Sequence, residues 1–399
     1  MPEPTPIDVN SMSQTDQIDN PEVLSPVIEH VEQDNSASPP LIHRFIYNWL
    51  ITDPGLNYTT KKNYQVQKHE DMRTLYFCGG RLRTVKQRPL NLITGVLIVL
   101  PAVLFWVYEA QWVWENVSPA PVIIFTYLWC VTLALFFKAS TCDPGVLPRN
   151  IHLPLNVDPV THSFIAKVVP EEYSNSISLP HKSKDTTSQV VPTFTKNRET
   201  SSNSPGVLVK YCGTCHIWRP PRASHCTVCN VCVVNHDHHC VFLNNCVGIR
   251  NYRYFLWFLA CSSLTSILLS ALSFIQVVHY KFMNDPLLDD FGDSIYKYPV
   301  GFFLALYGTV SLVYPTLLWG LHLCLTGWNL TTREYLNNVW GRKHSNFVNV
   351  FDTQSLIKNL YINWISKPNG ITLMRMTDPY DPGDLRMEKV APLSAFPTM

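Results

Sequence analysis

The chain has 399 residues, with 31 Lys plus Arg against 30 Asp plus Glu, so its net charge is near +1. That balance excludes a protein built mainly to coat nucleic acid. Only 15% of residues are charged, yet mean hydropathy is +0.01, so very apolar blocks must alternate with polar ones and a single soluble domain is excluded.

Residues 1–72 read as a cytosolic N-terminal region. Its first 40 residues are acidic and rich in Ser, Pro and Asn, the composition of a disordered segment. Ile42, Phe45, Ile46, Trp49 and Leu50 then recur at helical spacing, as in an interfacial or partner-binding helix. No cleavable signal peptide is expected, because residues 1–43 hold no Lys or Arg. Residues 73–149 contain two uncharged apolar blocks, 90–108 and 120–137. Two more, 254–278 and 299–321, lie within residues 254–324. A helix rises about 1.5 Å per residue, so each block suits a hydrocarbon layer of roughly 30 Å. Trp106, Tyr108, Trp112, Tyr254, Trp257, Tyr280 and Tyr298 stand at their ends, as interfacial aromatics do.

Loop charge orients the spans. Arg81, Arg83, Lys86 and Arg88 precede the first, and Lys138 and Arg149 follow the second. Arg250 and Arg253 precede the third, and Arg333, Arg342 and Lys343 follow the fourth. The two remaining loops carry few or no basic residues. Positive-inside logic puts both termini, and everything between spans 2 and 3, in the cytosol. Residues 150–209, rich in Ser, Thr, Pro and Lys, read as a flexible insertion. Residues 325–399 form a cytosolic tail, with a surface helix expected around Leu356, Ile357, Leu360, Tyr361, Trp364 and Ile365. No fixed-period repeat is evident. The expected fold is therefore an all-α polytopic membrane protein, four transmembrane helices with a cytosolic cysteine-rich zinc domain, residues 210–253, between spans 2 and 3.

That domain holds seven of the twelve cysteines: Cys212, Cys215, Cys226, Cys229, Cys232, Cys240 and Cys246, with His225, His236, His238 and His239 among them. In a cytosolic segment, repeated C-x2-C points to zinc rather than to disulfides. A closed structural site takes four N or S ligands. Two sites of three Cys and one His use six cysteines, and one is left over. Cys240 is the best candidate for that reactive cysteine, because Asp237 and His238 immediately precede it. An imidazole can shift a thiol to thiolate, and an Asp can fix the imidazole's tautomer. Structural zinc, at roughly 10–16 kcal/mol of apparent binding energy, could order a loop with few apolar residues. The competing readings are a membrane-tethered zinc scaffold without catalysis, and a transporter. The latter is disfavoured by spans free of Asp, Glu, Lys and Arg.

These residues resemble the DHHC protein S-acyltransferases, or palmitoyltransferases. The resemblance includes Arg219-Pro-Pro-Arg222, Asn245-Cys246-Val-Gly248, Asn251, Phe255, Asp143-Pro144-Gly145 and Thr331-Thr332-Arg-Glu334, in the order span, span, cysteine block, span, span. It implies one zinc on Cys212, Cys215, His225 and Cys232, and another on Cys226, Cys229, His239 and Cys246. It also implies Cys240 as acyl-accepting nucleophile, His238 as its base, Asp237 as orienter and Thr332 close to Asp237. Long-chain acyl-CoA, palmitoyl-CoA in particular, is the implied co-substrate, with Arg219, Arg222, Arg250 and Arg253 available for its phosphates. Val241 and Phe242 stand where the family often has Pro and Trp. An aromatic-and-Asn motif in the tail is matched loosely at Asn359 and Tyr361. The run 75–88 resembles the branch that acylates Ras proteins. That implies substrates with membrane-proximal cysteines such as Ras, a small accessory subunit, and residence in the endoplasmic reticulum membrane, with the Golgi as the alternative. Cys130, Cys261 and Cys324 are expected to pack within the spans, and His279 and His322 to be interfacial.

Overall fold

The computed structural model describes residues 62–66, 73–149, 211–215, 217–281, 290–340, 349–366 and 375–380, with strand pieces at 156–157, 164–165, 189–191 and 207–209. The expected helix at residues 42–50, and the expectations for residues 1–40 and for most of 150–209, lie outside the described residues.

Among the described residues, four helices are long and apolar enough to cross a membrane: α1 (Leu90–Tyr108), α3 (Pro119–Thr141), α4 (Tyr252–Val278) and α6 (Pro299–Gly327). Two short helices, α2 (Ala110–Asn116) and α5 (Phe291–Lys297), join them at one end of the bundle. α3 and α6 run past the expected blocks to Thr141 and Gly327, because backbone hydrogen bonding continues beyond the apolar stretch. Within its apolar window α4 is 44% buried, against 17–22% for the other three, so it is the central helix. The rest present Leu92, Ile93, Val96, Ile123, Leu306, Val310 and Leu317 outward, as helices must in lipid. Small and hydroxyl residues close the gap between α4 and α6. A Cβ on Gly308 would lie 2.8 Å from the Ser270 amide nitrogen. Ser270 and Thr309 hydroxyls meet at 2.7 Å, and Thr132 of α3 meets Thr265 of α4 at 3.1 Å. Such close approach and hydroxyl pairing hold helices together where the hydrophobic effect cannot. Of the span cysteines only Cys261 is buried. Cys130 and Cys324 lie on the outer surface of the bundle, so packing does not account for them.

The cysteine block and the elements that pack on it gather at the other end. A hairpin of β1 (Thr74–Phe77) and β2 (Leu82–Val85) leads into α1. After α3 the strand piece at 156–157 pairs with that at 164–165, and 189–191 with 207–209. The cysteine block then holds three hairpins: β3 (Tyr211–Cys212) with β4 (Ile217–Trp218), β5 (Ser224–Cys226) with β6 (Val231–Val233), and β7 (His238–Cys240) with β8 (Asn245–Val247). After α6 come the turn Thr332–Glu334 and α7 (Leu356–Trp364). The expected tail helix is therefore present. It docks through Asn359, Asn363 and Trp364, leaving Leu356, Ile357, Tyr361 and Ile365 exposed. Asn359 is fully buried; its Nδ2 donates to the Gly327 carbonyl and to Asp352, and its Oδ1 accepts from Thr353.

The Asp143-Pro144-Gly145 corner welds the bundle to the hairpins. Oδ1 of Asp143 accepts the amides of Gly145 and Val146 at 3.0 and 2.9 Å, and Arg250 binds Oδ2. Gly145 sits at φ 107°, where a Cβ would also strike Ile249 at 2.7 Å. Its carbonyl accepts from Val234, and Leu147 donates to Cys232. From the other side, Asn245 Nδ2 donates to the Ala139 and Cys142 carbonyls, and Asn251 Nδ2 to Ala139 and Cys246. The open carbonyls of the last turn of α3 are thus satisfied by two asparagines of the cysteine block.

Candidate active site and metal centres

The strand period of two explains the site. In β5, His225 and Cys226 are neighbours and face opposite ways. His225 pairs across the hairpin with Cys232, and these two join Cys212 and Cys215 from the β3–β4 turn. Cys226 and Cys229, from the β5–β6 turn, join the next cross-strand pair, His239 and Cys246. Within each set the ligand atoms lie within 4.8 Å of one another. Three sulfurs surround His225 Nδ1 at 3.4–3.8 Å, and three surround His239 Nδ1 at 3.4–3.8 Å. A tetrahedral zinc with Zn–S about 2.3 Å and Zn–N about 2.0–2.1 Å has S···N edges of about 3.5 Å. The two clusters are therefore sized for zinc, one Cys3His set each, and are structural sites with no open position. Every ligand of the first set shifted by 14 positions gives a ligand of the second. A short repeat is thus present, contrary to expectation. It is visible only once ligands are paired, because between them few residues match.

The same alternation isolates Cys240. In β7, His239 turns to the metal face, so His238 and Cys240, two residues apart, share the opposite face. Cys240 is in neither cluster. It is buried among Phe136, Ala139, Leu243, Val247, Phe255 and Leu256, where α3 and α4 meet the hairpins. His238 Nδ1 and Asp237 Oδ2 lie 2.6 Å apart, and the Thr332 amide donates to the other carboxylate oxygen at 2.8 Å. Burial opposes the charge on Asp237. The hydrogen bond and positive charge of His238, with the Thr332 amide, outweigh it and hold the carboxyl well below the usual range. Burial likewise opposes protonation of His238, but Asp237 and Cys240 beside it raise the imidazole to about 10. Asp237 thus makes His238 a strong base, able to hold the proton of the neighbouring Cys240 thiol.

Two groups reach this centre that the sequence did not single out for it. His322, expected to be interfacial, is 1% exposed, and one of its ring nitrogens lies within 4.8 Å of both the Asp237 carboxylate and a His238 nitrogen. Its Nδ1 is 3.0 Å from the Tyr252 hydroxyl. The ring also meets Phe255 edge-on, centroids 5.1 Å apart. A histidine inside an apolar span was the available signal. His279, at the far end, is buried between Trp112 and Tyr298. His236 is buried but belongs to neither cluster.

The arginines divide. Arg222, at φ 63°, grips Glu334 with Nε and Nη2 at 2.9 and 2.6 Å, donates to the Asn329 carbonyl, and stacks on Phe351. Thr331 and Glu334 complete a capping box on the same turn. Arg222 is thus a structural clamp between the cysteine block and the end of α6, not a free cation for phosphate. Arg250 binds Asp143 and, with Arg81, Arg83, Arg149 and Arg375, lines a cavity of about 320 Å³ beside the Asp143 corner. Arg253 lies over the Tyr254 ring at 4.8 Å.

Four spans, two closed Cys3His sets and a cysteine outside both, backed by His and Asp, are the build of a membrane-embedded thiol enzyme. Residues 208–339 match the family model described as DHHC palmitoyltransferase. The chain is 51% identical to "Palmitoyltransferase ERF2" of Debaryomyces hansenii, over 91% of this chain and 94% of that one. It is 35% identical to "Palmitoyltransferase ERF2" of Saccharomyces cerevisiae, over 88% and 90%. With "Palmitoyltransferase erf2" of Aspergillus fumigatus it shares 37% identity over 82% of this chain, spanning about half (49%) of that longer protein. The chain belongs to the DHHC palmitoyltransferase family: it is a protein-cysteine acyltransferase of an acyl-CoA-dependent family and works through a cysteine.

Proposed function

We propose that Cys240 takes a long-chain acyl group, palmitoyl above all, from acyl-CoA and passes it to cysteines of membrane-associated proteins, Ras-type proteins among them. The observation that carries this reading is the position of Cys240: outside both metal clusters, on one strand face with His238, at the junction of hairpins and bundle.

His238 takes the Cys240 proton, and the thiolate attacks the thioester carbonyl carbon. The bond from that carbon to the CoA sulfur breaks, and the departing sulfur takes the proton from His238. In the second half the substrate cysteine gives its proton to His238 and attacks the Cys240 thioester, and the Cys240 sulfur leaves. One thioester replaces another in each half, so little driving force is lost. Asp237 orients the imidazole, the Thr332 amide fixes Asp237, and His322 with Tyr252 backs both as positioning residues. Zinc supplies no chemistry here; Cys212, Cys215, His225 and Cys232, and Cys226, Cys229, His239 and Cys246, would hold it and keep β7 rigid. Each buried methylene of the acyl chain is worth about 0.8 kcal/mol, which places the chain among the spans. Arg219 and Arg253 are the cations this reading assigns to the CoA phosphates, while Arg222 is held by Glu334. Both termini face the cytosol in this reading, the membrane is that of the endoplasmic reticulum, and a small accessory subunit assists. The charge of the loops supports the orientation, and the resemblance of residues 75–88 to the Ras-acylating branch supports the membrane and the subunit.

The test is incubation of the purified protein with labelled palmitoyl-CoA. Hydroxylamine-sensitive label on Cys240 is expected, and Cys240→Ser should lose it while keeping about two zinc per chain. Loss of a zinc ion from Cys240→Ser would make Cys240 a ligand and end the proposal.

A further inference from the structure

The 14-residue offset continues past the second cluster. β5 and β6 pair as Cys226↔Val231, His225↔Cys232 and Ser224↔Val233. β7 and β8 pair as Cys240↔Asn245, His239↔Cys246 and His238↔Val247, each position 14 residues further on. The turns match too. Cys226-Thr-Val-Cys229 is followed by Asn230 in the left-handed region at φ 54°, and Cys240-Val-Phe-Leu243 by Asn244 at φ 48°. Cys240 thus occupies, in this hairpin, the place that a zinc ligand occupies in the one before. The other three positions of the set, counted on from Cys229, His239 and Cys246, are Leu243, Arg253 and Ala260. None of these side chains ligates zinc.

We propose that the β7–β8 hairpin is a third metal knuckle stripped of its partners, and that Leu243, in the place of the second knuckle cysteine, is the residue that keeps the Cys240 thiol off a metal ion. The proposal rests on the reading of Cys240 as the nucleophile. A thiolate bound to zinc shares the lone pair it needs for attack, so a knuckle geometry is useful to an enzyme only when the ion is kept out. Leu243 does this with hydrocarbon. It is 1% exposed and packs with Phe136, Phe255 and Leu256 in the cluster that contains Cys240. A second thiolate there would stand beside Cys240, with the His238 imidazole on the same strand face. Those are three soft donors, the minimum for a thiophilic divalent ion in a site with one position open.

The experiment uses the purified full chain. Wild type, Leu243→Cys, Leu243→His, the volume control Leu243→Met, and the double variant Leu243→Cys with Cys240→Ser are equilibrated with cadmium, and total zinc plus cadmium per chain is measured after gel filtration. Autoacylation is followed in parallel as cadmium is titrated. We expect about three ions per chain in Leu243→Cys, against about two in wild type, Leu243→Met and the double variant. We also expect autoacylation of Leu243→Cys to be suppressed by cadmium at concentrations that spare wild type, and restored by a chelator. Two ions or fewer in both Leu243→Cys and Leu243→His would overturn the proposal. So would a third ion that survives Cys240→Ser, since it would lie elsewhere. The metal count does not depend on acylation. If label from palmitoyl-CoA settles on another cysteine while the third ion binds as expected, the nucleophile reading fails and the knuckle stands.

Discussion

The two metal clusters share ligand types, ligand spacing and histidine Nδ1 ligation, yet they brace different things. The first is packed against Leu147, Ile217, Ala223 and Val234. Its Cys232 carbonyl takes the Leu147 amide, so it fixes the hairpins to the exit of α3. The second is packed against Val85, Val231, Val233 and Val146. Its His239 lies in β7 between His238 and Cys240, so it sets the strand that carries the proposed nucleophile and base. The β1–β2 hairpin closes over it, with Asn244 Nδ2 donating to the Val85 carbonyl at 2.8 Å. Identical coordination therefore does two jobs. One centre attaches the domain, and the other aligns His238 with Cys240.

That contrast can be broken most decisively at the histidines. His239→Ala should lose its metal ion and all measurable autoacylation, since structural zinc is worth roughly 10–16 kcal/mol of local order and β7 has no other brace of that size. His225→Ala should lose its own ion yet leave residual autoacylation, because β7 keeps its cluster. Zinc content and single-turnover acylation read both. Equal, complete loss in the two variants would mean that the clusters act as one unit.

A smaller effect is expected where the end of α6 meets the block. The Arg222–Glu334 pair is largely buried, with side-chain exposures of 9% and 18%. Glu334→Gln leaves the guanidinium uncompensated and should cost about 3–5 kcal/mol. Thermal unfolding of the solubilised protein would show it, and an unchanged midpoint would argue that the turn holding Thr332 is braced elsewhere.

The smallest effect separates packing from polarity beside Asp237 and His238. His322→Phe keeps the ring and loses both nitrogens. It should slow autoacylation roughly 10- to 100-fold with zinc content and acyl-CoA KM little changed, the usual range for removing an outer partner of an ordered side chain. His322→Gln should recover part of that rate. Recovery by Phe rather than Gln would make His322 a packing residue only.

Much of this was legible before any coordinates. The four spans followed from length and absence of charge, and six cysteines with two histidines followed from zinc's coordination number. The resemblance implied how those eight ligands divide, and the structure has the same two sets, but spacing alone could not yield the division. Interleaving arises because His225 and Cys226 sit on opposite faces of one strand, and strands of three residues leave no periodic signal in composition. His322 was misjudged for a related reason: proximity to Asp237 is created by α6 crossing the hairpins, 85 positions along the chain. Arg222 looked like a free cation because Glu334, its partner, lies 112 positions away.

By itself the sequence determined the solvent each segment must live in and the donor atoms available, because hydropathy and ligand chemistry are properties of side chains. The interleaving of the two ligand sets, and the approach of His322 to Asp237 and His238, were decided only by the tertiary structure. Backbone hydrogen bonding sets the pairing of the hairpins, the pleat assigns each side chain to a face, and only then does one cysteine turn away from the metal.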